Sequence, residues 1–212
     1  MNVDLHTRSS LSGGCDSPAE LVRKAHAAGL SAVALTDLLS VDGLEEAAAE
    51  AEKLGLEFVP GVEIPVKLLR YEGELKLLGF FFDPHNAALR ELLEKAKTEK
   101  PTVGQAALAL HEAGGLVALA DPKSAGAEGM SLEWFMQSVR CCGVEFMEVL
   151  YTDYSPDESQ FWLDTAKEWS MDPIGGSGYG DASIPAVLGQ PETDYEVLAW
   201  MKSCKETLSC LP

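Results

Sequence analysis

Apolar runs of strand length alternate with helix-like segments along this whole chain, and few folds accommodate that order. Residues 31–37 (SAVALTD), 115–121 (GLVALAD) and 143–151 are nearly unbroken apolar stretches. Strands of that kind are buried on both faces, as in mostly parallel sheets covered by helices. The segments between them carry helix signals. Ser17-Pro18-Ala19-Glu20 offers an N-cap serine, proline at the first helical position and glutamate at the third. Gly29 and Gly55 stand where helices over 17–28 and 42–54 would stop. Residues 57–66 and 74–82 read as paired strands around a turn at Tyr71-Glu72-Gly73. Helices are predicted over 86–100, 103–113, 131–139, 155–169 and 193–204, and further strands over 2–6 and 173–178. That makes seven strands. At about 30 residues per crossover unit, seven units fill the 212 residues as a single domain, 1–212.

An α/β chain of this kind closes into a barrel or opens as a doubly wound sheet. The polar residues favour the barrel. His6, Asp37, Glu63, Asp121, Asp153 and Ser177 fall at or just beyond predicted C-terminal strand ends, the face on which barrels build their sites. Glu148 and Asp153, near the sixth strand end, read as solvated or hydrogen-bonding. Tyr151 and Tyr179 read as lining or packing the rim.

Charge removes some partners. The net charge is -18, from 16 Lys+Arg against 34 Asp+Glu, with no basic cluster, so neither nucleic acid nor an anionic membrane is expected as a partner. No apolar run of about 18 residues suggests a membrane span. The acidic, strand-like opening lacks the pattern of a signal peptide, so a cytoplasmic protein is expected. Five cysteines without a CxxC pair read as reduced thiols, and Cys141-Cys142 and the Cys204 to Cys210 spacing receive no role. His26, His85 and His111 receive none either.

Ordered short motifs then accumulate: Asp4-Leu5-His6, Pro18-Ala19-Glu20-Leu21-Val22, Ala27-Ala28-Gly29-Leu30, Leu35-Thr36-Asp37, Pro60-Gly61-Val62-Glu63-Ile64, Leu78-Gly79-Phe80, Gly114-Gly115-Leu116 and Gly175-Gly176-Ser177. Together they resemble the PHP (polymerase and histidinol phosphatase) domain, in particular its stand-alone phosphoesterases. The resemblance implies a distorted seven-stranded, TIM-like (β/α)7 barrel. It also implies two or three divalent metals that activate water for phosphoester hydrolysis.

The family's ligand pattern is only partly present. His6 and Glu63 match. Arg8 stands for the second histidine of the HxH pair, Gly13 for the turn aspartate, and Leu38 for the histidine of Thr-Asp-His. Lys76 stands for the histidine before Leu-Gly, Asp121 for that of Ala-His-Pro, and Gly178 and Gly180 for the closing Asp-x-His. Leucine, glycine and cationic side chains supply no lone pair for a metal at neutral pH. The pattern therefore implies a pseudoenzyme with a binding or scaffolding role toward an unknown small molecule or protein, and no cofactor. The alternative is a hydrolase with one divalent metal (Mn, Fe or Zn) on His6, Glu63 and either Asp121 or Asp37. Asp181 could be a shifted ligand, while Asp37 and Glu63 also read as structural ion-pair partners. Arg8 and Lys76 put positive charge where metals would sit. They could neutralise Glu63, Asp37 and Asp121 internally, or, with Tyr179 at the rim, hold an anion such as phosphate.

Overall fold

The computed structural model describes residues 1–68, 71–125 and 131–209. Its strands are β1 (Asn2–Asp4), β2 (Ala32–Leu35), β3 (Glu57–Leu68), β4 (Tyr71–Phe80), β5 (Leu116–Ala120), β6 (Phe146–Leu150), β7 (Asp172–Gly175) and β8 (Thr193–Asp194). They form one sheet in the order β7-β6-β5-β4-β3-β2-β1-β8. Pairing is parallel except where β4 runs against β3 and β5, and where β8 runs against β1. Beyond their last residues, β1 and β7 meet. Gly178 N–H donates to the His6 carbonyl at 2.9 Å, and Arg8 N–H to that of Tyr179 at 2.7 Å. These bonds close the sheet into the expected distorted barrel.

Among the described residues seven α-helices surround it: α1 (Pro18–Ala27), α2 (Leu44–Leu54), α3 (Ala87–Ala96), α4 (Val103–Glu112), α5 (Leu132–Arg140), α6 (Pro156–Glu168) and α7 (Tyr195–Ser209). The Ser17 cap forms a full capping box with Glu20, as do Thr102 with Gln105 and Ser155 with Glu158. Among the described residues no helix is long and apolar enough to cross a membrane.

Two apolar layers follow from strand alternation. Val3, Ala34, Val59, Leu78, Ala118, Phe146 and Ile174 fill the barrel interior, with Leu198 and Met201 of α7 packed against them. Val33, Val62, Leu77, Leu119 and Met147 face outward, against the helices. In β3, β4 and β6 the interior parity carries past Val59, Leu78 and Phe146 to Glu63, Lys76 and Glu148.

Three boundaries differ from expectation. The β3–β4 hairpin is longer, so Tyr71-Glu72-Gly73 lies inside β4, with a bulge between Val66 and Leu68. Its connecting residues 69 and 70 lie outside the described ones, as does Cys210. The helix predicted over 86–100 stops at Ala96, in keeping with Lys100 preceding Pro101, a position restricted away from helical angles. Thr193 and Asp194 form β8 instead of opening the last helix, because they pair antiparallel with Val3 and Asn2 of β1, with Thr193 N–H also donating to Asn2 Oδ1 at 2.8 Å.

The closure tolerates little added volume. A Cβ on Gly176 would overlap the His6 side chain and come within 2.7 Å of its backbone nitrogen. Gly176→Ala is expected to cost about 1–3 kcal/mol or more, and urea unfolding would read the loss. An unchanged midpoint would contradict this packing.

Candidate functional site

The mouth of the barrel holds a buried network of charges. Glu63, within β3, is fully buried. Its Oε2 accepts from Arg8 Nε at 2.7 Å and lies 2.6 Å from the Nη2 nitrogen of the same guanidinium. This two-nitrogen grip is the strong form of an ion pair. The other end of Arg8 reaches Asp181 at 2.9 Å. Lys76 Nζ lies 3.3 Å from Glu63 Oε1, too poorly aligned for a hydrogen bond, which leaves Oε1 buried without one.

His6 sits between two carboxylates. Its Nδ1 is 3.0 Å from Glu148 Oε1, and its Nε2 is 3.5 Å from Glu63 Oε2. Burial opposes charge on the imidazole, but Glu148 and Glu63 outweigh it and lift its pKa to about 10. Burial raises the Glu148 carboxyl too, with His6 and the Asp121 N–H working against that rise. Both shifts keep a proton on the His6–Glu148 pair through neutral pH. Glu63 goes the other way: burial raises it, yet His6, Arg8 and Lys76 hold it down at about 2.

Around this network lie the other anticipated residues. Asp121 N–H donates to Glu148 at 2.9 Å, and Asp121 Oδ1 accepts from the Tyr154 hydroxyl at 2.8 Å. Asp37 is buried, but takes its bonds from Ser9 N–H (2.7 Å), Ser9 Oγ (2.6 Å) and Ser12 Oγ (2.5 Å) rather than from either cation. Tyr179 turns its hydroxyl to Asp16 at 2.8 Å, and Lys24 bonds both groups. Asp153 stays on the rim with Lys123. The structure thus brings together His6, Arg8, Glu63 and Lys76, with Asp121 one bond removed. Asp37 and Tyr179 have separate duties.

Two further members, Glu148 and Asp181, have roles that the sequence does not assign. Of the two readings of Glu148, solvated or hydrogen-bonding, the second holds: it is fully buried and bonded to His6 and the Asp121 N–H. The signal available is a carboxylate inside an apolar run, two residues after Phe146 and so on its face. Asp181, weighed as a shifted metal ligand, instead pairs with Arg8.

The protonated pair gives a pH signature. A group whose folded pKa is raised stabilises fully below its unfolded pKa and loses that contribution as pH rises through the folded value. For His6 the window runs from 6.5 to about 10, and the raised Glu148 carboxyl acts in the same direction. Unfolding free energy is therefore expected to fall across that window, by up to about 1.4 kcal/mol per pH unit for one proton. Urea melts of the protein and of His6→Gln at several pH values read this directly. Equal slopes in the two proteins would refute it.

The metal implied by the resemblance can be tested against these donors. His6 holds a proton between carboxylates, Glu63 Oε2 is taken by Arg8, and Oε1 faces an ammonium. Leu38 offers nothing. Gly178 and Gly180 both adopt positive φ, and a Cβ on Gly180 would overlap the Arg8 carbonyl. Among the described residues no three His, Cys, Asp or Glu side chains are arranged to hold a metal. The residues present do not fit a multi-metal cluster.

Comparison with known proteins supplies the lineage. The PHP domain family model matches residues 4–132, more than half of the chain. A 5'-3' exoribonuclease of Haemophilus influenzae is 38% identical over 103 residues, 47% of this chain and 36% of that protein. A 3',5'-nucleoside bisphosphate phosphatase of Chromobacterium violaceum is 39% identical over 88 residues, 42% of this chain and 30% of that protein. The aligned stretch thus spans only about a third of each relative. Among solved structures, a Bifidobacterium adolescentis protein assigned as a metal-dependent phosphoesterase superposes with a TM-score of 0.83 at 19% identity, covering 96% of both chains. An amidohydrolase of Chromobacterium violaceum, solved with sulfate and no metal, gives 0.79 at 20% identity, covering 94% of this chain and 96% of its own. These likenesses agree with the barrel described above, and the family match is decisive: the chain belongs to the PHP domain family.

Proposed function

We propose that this PHP barrel works by binding rather than by metal-dependent phosphoester hydrolysis, with an internal ion-pair network at its former metal positions. The observation that carries this reading is the two-nitrogen grip of Arg8 on fully buried Glu63. A divalent cation at Glu63 would share the carboxylate with a guanidinium, an ammonium and a protonated imidazole, and like charges at such separations repel strongly inside a protein.

The same network argues against a phosphate ligand. Both ends of Arg8 are engaged by carboxylates, and Glu63, Asp181 and Glu148 would face the incoming anion. A neutral small molecule or a protein surface fits the mouth better, and the net charge of -18 disfavours nucleic acid. One observation favours the second reading, a single-metal hydrolase: Glu63 Oε1 lies buried without a hydrogen bond, which leaves it as a lone-pair site beside His6 if Lys76 withdraws.

Hydrolysis of bis(p-nitrophenyl) phosphate and of a nucleoside 3',5'-bisphosphate, assayed with added Mn, separates the two. No turnover above the metal alone is expected. Metal-dependent turnover that Glu63→Gln abolishes would overturn the binding reading.

A further inference from the structure

The barrel has a seam, and a cavity lies on it. β7 and β8 are the two ends of the sheet and form no ladder with each other. Pro173 in β7 and Pro191 just before β8 have no N–H to donate, and the Thr193 N–H is taken by Asn2. Helices α6 and α7 flank the gap. Between them opens a cavity of about 670 Å³, within the range of about 300–1,000 Å³ usual for small-molecule sites.

Its wall is apolar and half-buried: Leu150, Tyr154, Leu163, Pro173, Pro191 and Val197. The charged residues lining it are Glu192 and Asp194, both exposed, and no Lys, Arg or His is among the lining residues. Thr193, in the same wall, has a buried hydroxyl without a hydrogen-bond partner among the described residues.

We propose that this seam cavity is a binding site for a small planar apolar amine, its ring against Leu163 and Tyr154 and its ammonium toward Glu192 and Asp194. The apolar wall supplies affinity through buried area, and the two carboxylates set the preference for a cation over a neutral or anionic analogue. This site lies outside the barrel mouth and is independent of the reading proposed for Glu63.

Tryptamine, indole and indole-3-acetate share a ring and differ in charge, so titration of the full chain with each, followed by calorimetry, tests the proposal. Saturable binding of tryptamine is expected, with indole weaker and indole-3-acetate weaker by about tenfold or more. Leu163→Trp, which fills the cavity, is expected to abolish binding while the protein melts at or above its original temperature. Gln160→Trp, at an exposed lining position, serves if that variant fails to fold. Glu192→Gln is expected to bring tryptamine toward the affinity of indole. No saturable binding by any of the three, equal binding by all, or binding indifferent to both filling variants would overturn the proposal.

Discussion

Arg8→Ala is expected to lower the unfolding free energy by about 3–5 kcal/mol, the usual cost of stranding one partner of a buried ion pair. The magnitude follows from Glu63. Its carboxylate is fully buried and held near pKa 2 by three positive groups, of which Arg8 makes the closest contact. With the guanidinium gone, Lys76 at 3.3 Å and His6 at 3.5 Å are left to compensate it. Arg8→Met combined with Glu63→Leu is expected to regain most of the loss, since apolar replacement of a whole buried pair is often neutral. A double variant as unstable as Arg8→Ala would mean that Lys76 and His6 also need the Glu63 carboxylate, and a stable Arg8→Ala would mean that the network carries no weight. Urea unfolding of the three proteins distinguishes these cases.

Gly180→His is the second large effect. The substitution restores a residue the family uses at its closing metal position, yet it is expected to destabilise by roughly 2–6 kcal/mol. That range adds a backbone-strain cost of about 1–3 kcal/mol at a left-handed angle to about 1–3 kcal/mol of overpacking. Gly180 has φ +93, and a Cβ there meets the Arg8 carbonyl oxygen and lies 2.8 Å from the Arg8 carbonyl carbon. The backbone at the end of β7 has thus settled into a course that excludes any side chain at this point. Returning one ligand does not return the site. A Gly180→His protein with an unchanged melting temperature and a gain in metal binding would contradict this.

Much of the barrel was legible because its strands are continuous apolar runs and its helices begin with strong caps, both local signals. Thr193–Asp194 was not, since two residues carry no period, and their pairing depends on Asn2 at the far end of the chain. The β3–β4 hairpin was misjudged because Tyr71-Glu72-Gly73 has the composition of a turn, while cross-strand pairing carries the ladder past it. At the mouth, the positive charges of Arg8 and Lys76 are legible residue by residue, and both lie against Glu63. Their supposed partners Asp37 and Asp121 belong instead to Ser9 and Tyr154. Such choices are made by three-dimensional neighbours rather than by spacing. The role of Glu148 is set the same way, by the His6 ring, 142 positions away, and by the Asp121 N–H.

Metal content tests most directly the proposal that an ion-pair network, and no metal, occupies the mouth of the barrel. The protein would be incubated with Mn, Fe and Zn, desalted and measured by plasma mass spectrometry. A metal-to-protein ratio near zero is expected. A ratio of one or more, lost in both His6→Ala and Glu63→Ala while those variants remain folded, would contradict the account and return the barrel to the hydrolases.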